Sequence, residues 1–109
     1  MKIGYANDRL REWCLVEKKA IRALGPELAK KLMTRHADLS AAANVTELVA
    51  GRPHPLTGDR LGEFALDLVG LKRVTFKPDH DPSPRNPDGS IDWASVTAVT
   101  IVYIGDYHG

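Results

Sequence analysis

Residues 62–77 read GEFALDLVGLKRVTFK. Phe64, Leu66 and Leu68 are apolar with Glu63 and Asp67 set between them; beyond Gly70, Val74 and Phe76 alternate with Arg73, Thr75 and Lys77. A side-chain period of two is the signature of a strand with one buried and one wet face. A turn across Val69–Leu71 then predicts an antiparallel hairpin. The wet face, carrying Glu63, Asp67, Arg73, Thr75 and Lys77, is expected to stand open. Residues 95–105, SVTAVTIVYIG, are almost continuously apolar or β-branched, which suits a more central strand.

Upstream of the hairpin the period changes. Leu10, Trp13, Cys14, Ile21 and Leu24 recur near 3.6 residues, with Glu17 the one interruption, which predicts a helix. Gly25-Pro26 ends it, glycine as a stop and proline as an allowed first helical residue. Leu28, Leu32, Met33 and Leu39 carry a second stripe, with Lys30, Lys31 and Arg35 on its wet side. Residues 2–6, KIGYA, read as a short edge strand, and Thr46–Ala50 as one more helical turn. Residues 78–93, PDHDPSPRNPDGSIDW, hold four of the seven prolines and no period, so they form a long loop. The fold class is therefore α+β: a helical hairpin over about residues 6–50, packed on a small antiparallel sheet over about 52–109, with a loop insertion at about 78–95.

Bulk properties narrow the function. A chain of 109 residues with 43% hydrophobic and 27% charged residues is expected to form one ordinary globular domain. The first ten residues are too polar for a signal-peptide core, and no apolar run approaches the ~18 residues of a membrane span. A cytoplasmic location is the default. Cys14 is the single cysteine, which excludes an internal disulfide and a multi-thiolate metal site. The formal charge of +1 conceals an excess of cations before residue 37 and of carboxylates after it. Such a split is compatible with a polyanion-facing helical half, and equally with the wet faces of amphipathic helices.

The four histidines, His36, His54, His80 and His108, are scattered without metal-ligand spacing, so neither a metal nor a cofactor is expected. His36 reads as a helix-end or solvated residue and His80 as an inert loop residue. His54 differs, because Pro53 and Pro55 on either side of it stiffen the backbone. At the other end, residues 106–108 are Asp-Tyr-His. Metal-free RNA cleavage needs groups of these kinds. A base removes the 2′-hydroxyl proton, that oxygen attacks the adjacent phosphorus, an acid protonates the departing 5′-oxygen, and cations hold the phosphorane charge. An imidazole can be acid or base near neutral pH, and such proton transfer is worth ~10²–10⁴ in rate. A guanidinium such as that of Arg73 can fork onto phosphate oxygens.

The segments HPLTGDRLGEFALDLVGLKRVTFKP (54–78) and VTIVYIGDYH (99–108) resemble the HigB branch of the RelE/ParE toxin superfamily. That branch has an H-x-L-x-G-x-R-x-G-x-W/F opening, a second strand that begins with arginine, and a closing Asp-Tyr-His. The proline-rich loop is similar to that of a subgroup often labelled killer suppression protein HigA. The resemblance implies a type II toxin, a metal-independent endoribonuclease that cuts messenger RNA on the ribosome, neutralised by a HigA-type helix-turn-helix antitoxin. By position it assigns catalysis to His54, Arg73, Asp106, Tyr107 and His108, and RNA binding to Arg60, Lys72 and Lys77. The division between acid and base is left open. Three departures weaken the match: Thr57 stands for a common lysine, Leu71 for a polar turn residue, and Asp67 is expected to repel phosphate. The alternative is a non-catalytic superfamily member that binds gyrase or only its cognate antitoxin. A DNA-binding antitoxin fits poorly, because no convincing helix-turn-helix is present.

Overall fold

The computed structural model describes residues 1–106. Three helices lie against one face of a five-stranded sheet whose strands run in the order β1-β5-β4-β3-β2. These are β1 (Lys2–Tyr5), β2 (His54–Pro55), β3 (Phe64–Asp67), β4 (Arg73–Pro78) and β5 (Ala98–Gly105). The expected hairpin is present, β3 and β4 pairing antiparallel from Phe64↔Phe76 to Asp67↔Arg73. The sheet as a whole is mixed rather than antiparallel. The edge strand expected at the N-terminus pairs parallel to β5, Lys2 opposite Ala98 and Tyr5 opposite Ile101.

The helical part departs from the expected pair. The first stripe is two helices, α1 (Asp8–Leu15) and α2 (Glu17–Leu24), broken at Val16, whose extended backbone ends one and begins the other. Glu17 is therefore no flaw in one helix but the first residue of the next, where a carboxylate suits the positive end of the helix dipole. Asn7 caps α1, its side chain accepting from the Leu10 N–H at 2.9 Å. Gly25, at φ 85°, stops α2, and Pro26 opens α3 (Pro26–Ala41), as the sequence predicts. The turn expected over Thr46–Ala50 is a 3-10 turn over Val45–Glu47.

Leu10, Cys14, Leu32 and Leu39 from the helices meet Phe64, Leu66, Val74, Phe76, Val99, Ile101 and Ile104 from the sheet in one core. Burial pushes the Cys14 thiol up to about 12, so it packs as a small apolar residue. His36 is half-buried against Tyr5 and is not a helix cap. Its Nε2 lies 2.7 Å from the Tyr5 hydroxyl, the two rings stack, and burial holds its pKa below the usual value.

Two features position the other sheet face. The first is a register irregularity at Thr75/Phe76, where Thr75 pairs with Tyr103 but Phe76 pairs with Ile101. One extra residue in β5 reverses the phase of its alternation. Val99 and Ile101 point into the core, and so does Ile104, which leaves Tyr103 and Gly105 on the far side. The second is the loop over residues 78–95, which has its own order. Arg85 and Ile91 form an antiparallel bridge around a turn, and Trp93 packs edge-on against Phe64 at 4.8 Å. His80 holds the base of the loop, its Nε2 accepting from the Thr97 and Ala98 N–H groups at 3.1 and 3.3 Å. Among the described residues, no helix is long and apolar enough to cross a membrane.

Candidate functional site

Strand pairing across the far face places side chains in two rows. His54 pairs with Ala65, Ala65 with Thr75, and Thr75 with Tyr103. One step along, Asp67 pairs with Arg73 and Arg73 with Gly105. Partners in register share a face, so residues from four segments converge there. The face is not open as expected: Arg73 is 8% exposed and Thr75 is fully buried. The segment from Arg52 to Glu63 folds over these two residues. Between that segment and β4 runs a cleft of about 540 Å³, lined by Arg52, His54, Thr57, Asp59, Arg60 and Arg73 among others.

Asp67 is the junction of the site. Its carboxylate lies 2.7 Å from Arg52 Nε and 3.0 Å from Arg73 Nε, the latter an ion pair rather than an aligned hydrogen bond. Its backbone N–H donates to the Gly51 carbonyl, and its own carbonyl accepts from Arg35 Nε of α3 at 3.3 Å. Burial works to raise the Asp67 pKa. The Arg52 hydrogen bond and the charges of Arg73, Arg52 and His54 outweigh it and hold the group below the usual carboxylate value. Asp67 thus does not stand in the cleft repelling phosphate; it fixes two guanidinium groups at the cleft wall. Gly51 is required beside it. Its φ is 86°, and a Cβ there would lie 2.6 Å from Arg35 Nε.

Arg60 is held by a second set. Its guanidinium lies over the Tyr103 ring, 4.4 Å from the centroid, and Nη1 donates to Glu63 Oε1 at 3.1 Å. The same oxygen accepts from the buried Thr75 hydroxyl at 2.9 Å. Arg73 Nη1 donates to the Leu71 carbonyl at 3.0 Å, so the backbone of Leu71 serves the site although its side chain does not.

His54 Nδ1 lies 2.7 Å from the Arg52 carbonyl oxygen. A carbonyl only accepts, so Nδ1 carries the proton, and in the neutral ring Nε2 is the position able to take one. The structure therefore brings His54, Arg60 and Arg73 together. Asp106, half-buried, follows Gly105, the partner of Arg73 in the sheet. Tyr107 and His108 lie outside the described residues. Lys72 and Lys77 are exposed and do not line the cleft. Arg52, Glu63 and Tyr103 are members of the site that local pattern does not single out. The Gly51-Arg52 turn before Pro-His-Pro was the available signal for Arg52, which sits at φ 48°.

The acid side of the stability profile follows from these environments. His36 and Asp67 both have lowered folded pKa values, so the unfolded chain binds protons first and stability falls with falling pH. For His36 the loss sets in as pH drops below about 6.5, and for Asp67 below about 3.9. Urea midpoints measured from pH 7 to pH 3 should decline in these two windows. His36→Gln should flatten the upper one and Asp67→Asn the lower; an unchanged slope in either variant contradicts the corresponding assignment.

Comparison with known proteins agrees on architecture. No family model matches the chain, and no curated protein does. Among solved structures it superposes on a YoeB/ParE toxin from Agrobacterium tumefaciens with a TM-score of 0.62 at 11% identity, covering 98% of this chain and 99% of that one. The YoeB–YefM complex and the YoeB dimer from Staphylococcus aureus each give a TM-score of 0.60 at 10% identity, over 98% of this chain and 97% of theirs. The protein is thus a small α+β protein with a face-on cleft of basic residues. Its fold is that of the RelE/ParE-like toxins, represented by YoeB.

Proposed function

We propose that this chain is the toxin of a type II toxin–antitoxin system, a HigB-like endoribonuclease that cuts messenger RNA on the ribosome in the cytoplasm. The observation that carries the reading is the convergence of His54, Arg52, Arg60 and Arg73 on one cleft, with Asp106 one residue beyond the partner of Arg73. The three guanidinium groups put positive charge beside a phosphate entering the cleft, and preorganised cations of this kind are what stabilise a developing phosphorane. The His54 imidazole, its Nδ1 committed to a carbonyl, presents Nε2 as a proton acceptor for the 2′-hydroxyl. That oxygen then bonds to the adjacent phosphorus as the 5′-oxygen leaves, taking a proton from an acid. His108 and Asp106 are the candidates for that acid, and Tyr107 for positioning a base. The partner is a HigA-type helix-turn-helix antitoxin; the YoeB neighbour is itself held in a complex with YefM.

A second reading has its own support. Asp67 and Glu63 pair with Arg52, Arg73 and Arg60, so much of the cleft's positive charge is balanced. That arrangement also suits a non-catalytic module that binds gyrase or an antitoxin. Expression in a bacterial host separates the two. The nuclease reading expects growth arrest with new mRNA 5′ ends inside codons, and loss of both in His54→Ala and His108→Ala. Arrest that survives both substitutions and alters DNA supercoiling would replace it with the gyrase reading. Absence of arrest would leave only antitoxin binding.

A further inference from the structure

The loop over residues 78–95 builds a second cavity, of about 500 Å³, on the flank of the arginine cleft. Leu61, Ile91 and Trp93 form its apolar walls, and Pro55 and Thr57 line both cavities, so the two share a wall. Leu61 is 79% exposed, so this wall of the cavity is open to a ligand entering from solvent. Arg85 also lines the cavity, its Nη1 donating to the Gly89 carbonyl at 2.8 Å, and so does Ser90. An apolar slot with an indole in its wall and a few polar groups at its edge matches a heteroaromatic ring.

We infer that this cavity is a nucleobase subsite, taking the base of the nucleotide next to the phosphate held by Arg52, Arg60 and Arg73. The inference rests on the reading of the cleft as a phosphate site. Its support is the wall shared by the two cavities and the cations on both sides of it. An apolar peptide side chain would have no use for Arg85, whereas a base flanked by phosphates does. Leu61, Ile91 and Trp93 then set which base is accepted next to the cleavage point.

The test uses the full chain carrying Trp13→Phe, which leaves Trp93 as the only indole. The probe is a single-stranded RNA hexamer with 2′-O-methyl groups, which cannot be cleaved, compared with an abasic strand of equal length. The hexamer should quench Trp93 saturably and bind about tenfold more tightly than the abasic strand, the scale of one stacked base. Leu61→Ser should remove most of that difference and leave abasic affinity unchanged. Equal affinity for the two strands, with binding lost in Arg73→Ala, would overturn the base subsite and keep the phosphate cleft. Base discrimination with affinity for both strands unchanged in Arg73→Ala would keep the subsite and overturn the cleft. A Trp93 signal that tracks protein concentration without RNA, with dimers in sedimentation, would assign the cavity to a second copy and end the inference.

Discussion

On the nuclease proposal, replacing Arg73 with alanine is expected to lower single-turnover RNA cleavage by about 100- to 1,000-fold, the usual loss when one preorganised charge-stabilising donor is removed. Arg73 is fixed before substrate arrives, with Nη1 on the Leu71 carbonyl and Nε beside Asp67. A guanidinium already in place spends no binding energy on reorganisation as phosphorane charge develops. Truncation also leaves the Asp67 carboxylate with Arg52 alone of its two ion-pair partners, which lowers the positive potential at the cleft wall. Arg73→Lys keeps the charge but not the fork, so its activity should fall between the alanine variant and the native protein. Because Asp67 retains Arg52 at 2.7 Å, both variants should still unfold cooperatively. Cleavage on isolated ribosomes, read beside thermal unfolding, decides the matter. Native-level cleavage by a folded alanine variant would remove Arg73 from the chemistry.

The largest effect on stability is expected at Phe76. It is fully buried, lies 5.7 Å from Phe64, and sits opposite Ile101 on β4, the middle strand of the sheet. Phe76→Ala removes most of a large ring from a packed core, for which about 3–5 kcal/mol is typical. Against a total stability of ~5–15 kcal/mol for a domain of this kind, that is enough to leave a substantial unfolded population. Equilibrium urea unfolding should show the lower midpoint with little change in slope. A loss below about 1 kcal/mol would mean the core closes around the gap. Phe76 and Arg73 separate the two roles of β4. One side of the strand supports the core, the other carries the cleft, and the variants should fail in different assays.

The hairpin, the helix stop at Gly25-Pro26 and the α+β class were legible because each is encoded by neighbours. Alternation over Phe64–Leu68, a glycine followed by proline, and a stripe at 3.6 residues are all local signals. His54 was legible as a candidate from its flanking prolines and Arg73 from its place on the hairpin, while Arg60 came from the family resemblance of the 54–78 segment. Asp67 shows where local reading fails. As a lone carboxylate among basic strand residues it predicts repulsion, yet two arginines, fifteen and six residues away in the chain, close on it. The break at Val16 was hidden for a related reason, since a one-residue extended kink barely disturbs the apolar stripe that crosses it.

The amino-acid order by itself determined most of the elements and the face each turns to the core, because secondary structure and amphipathicity depend on residues a turn or two apart. The site was decided only when those elements paired. The far-face row joins His54 to Tyr103 through Ala65 and Thr75, and Tyr103 reaches that face only through the extra residue in β5. Register between strands is a balance of packing over the whole sheet, and a one-residue shift exchanges its faces. That is why the composition of the cleft could be guessed along the chain while its geometry could not.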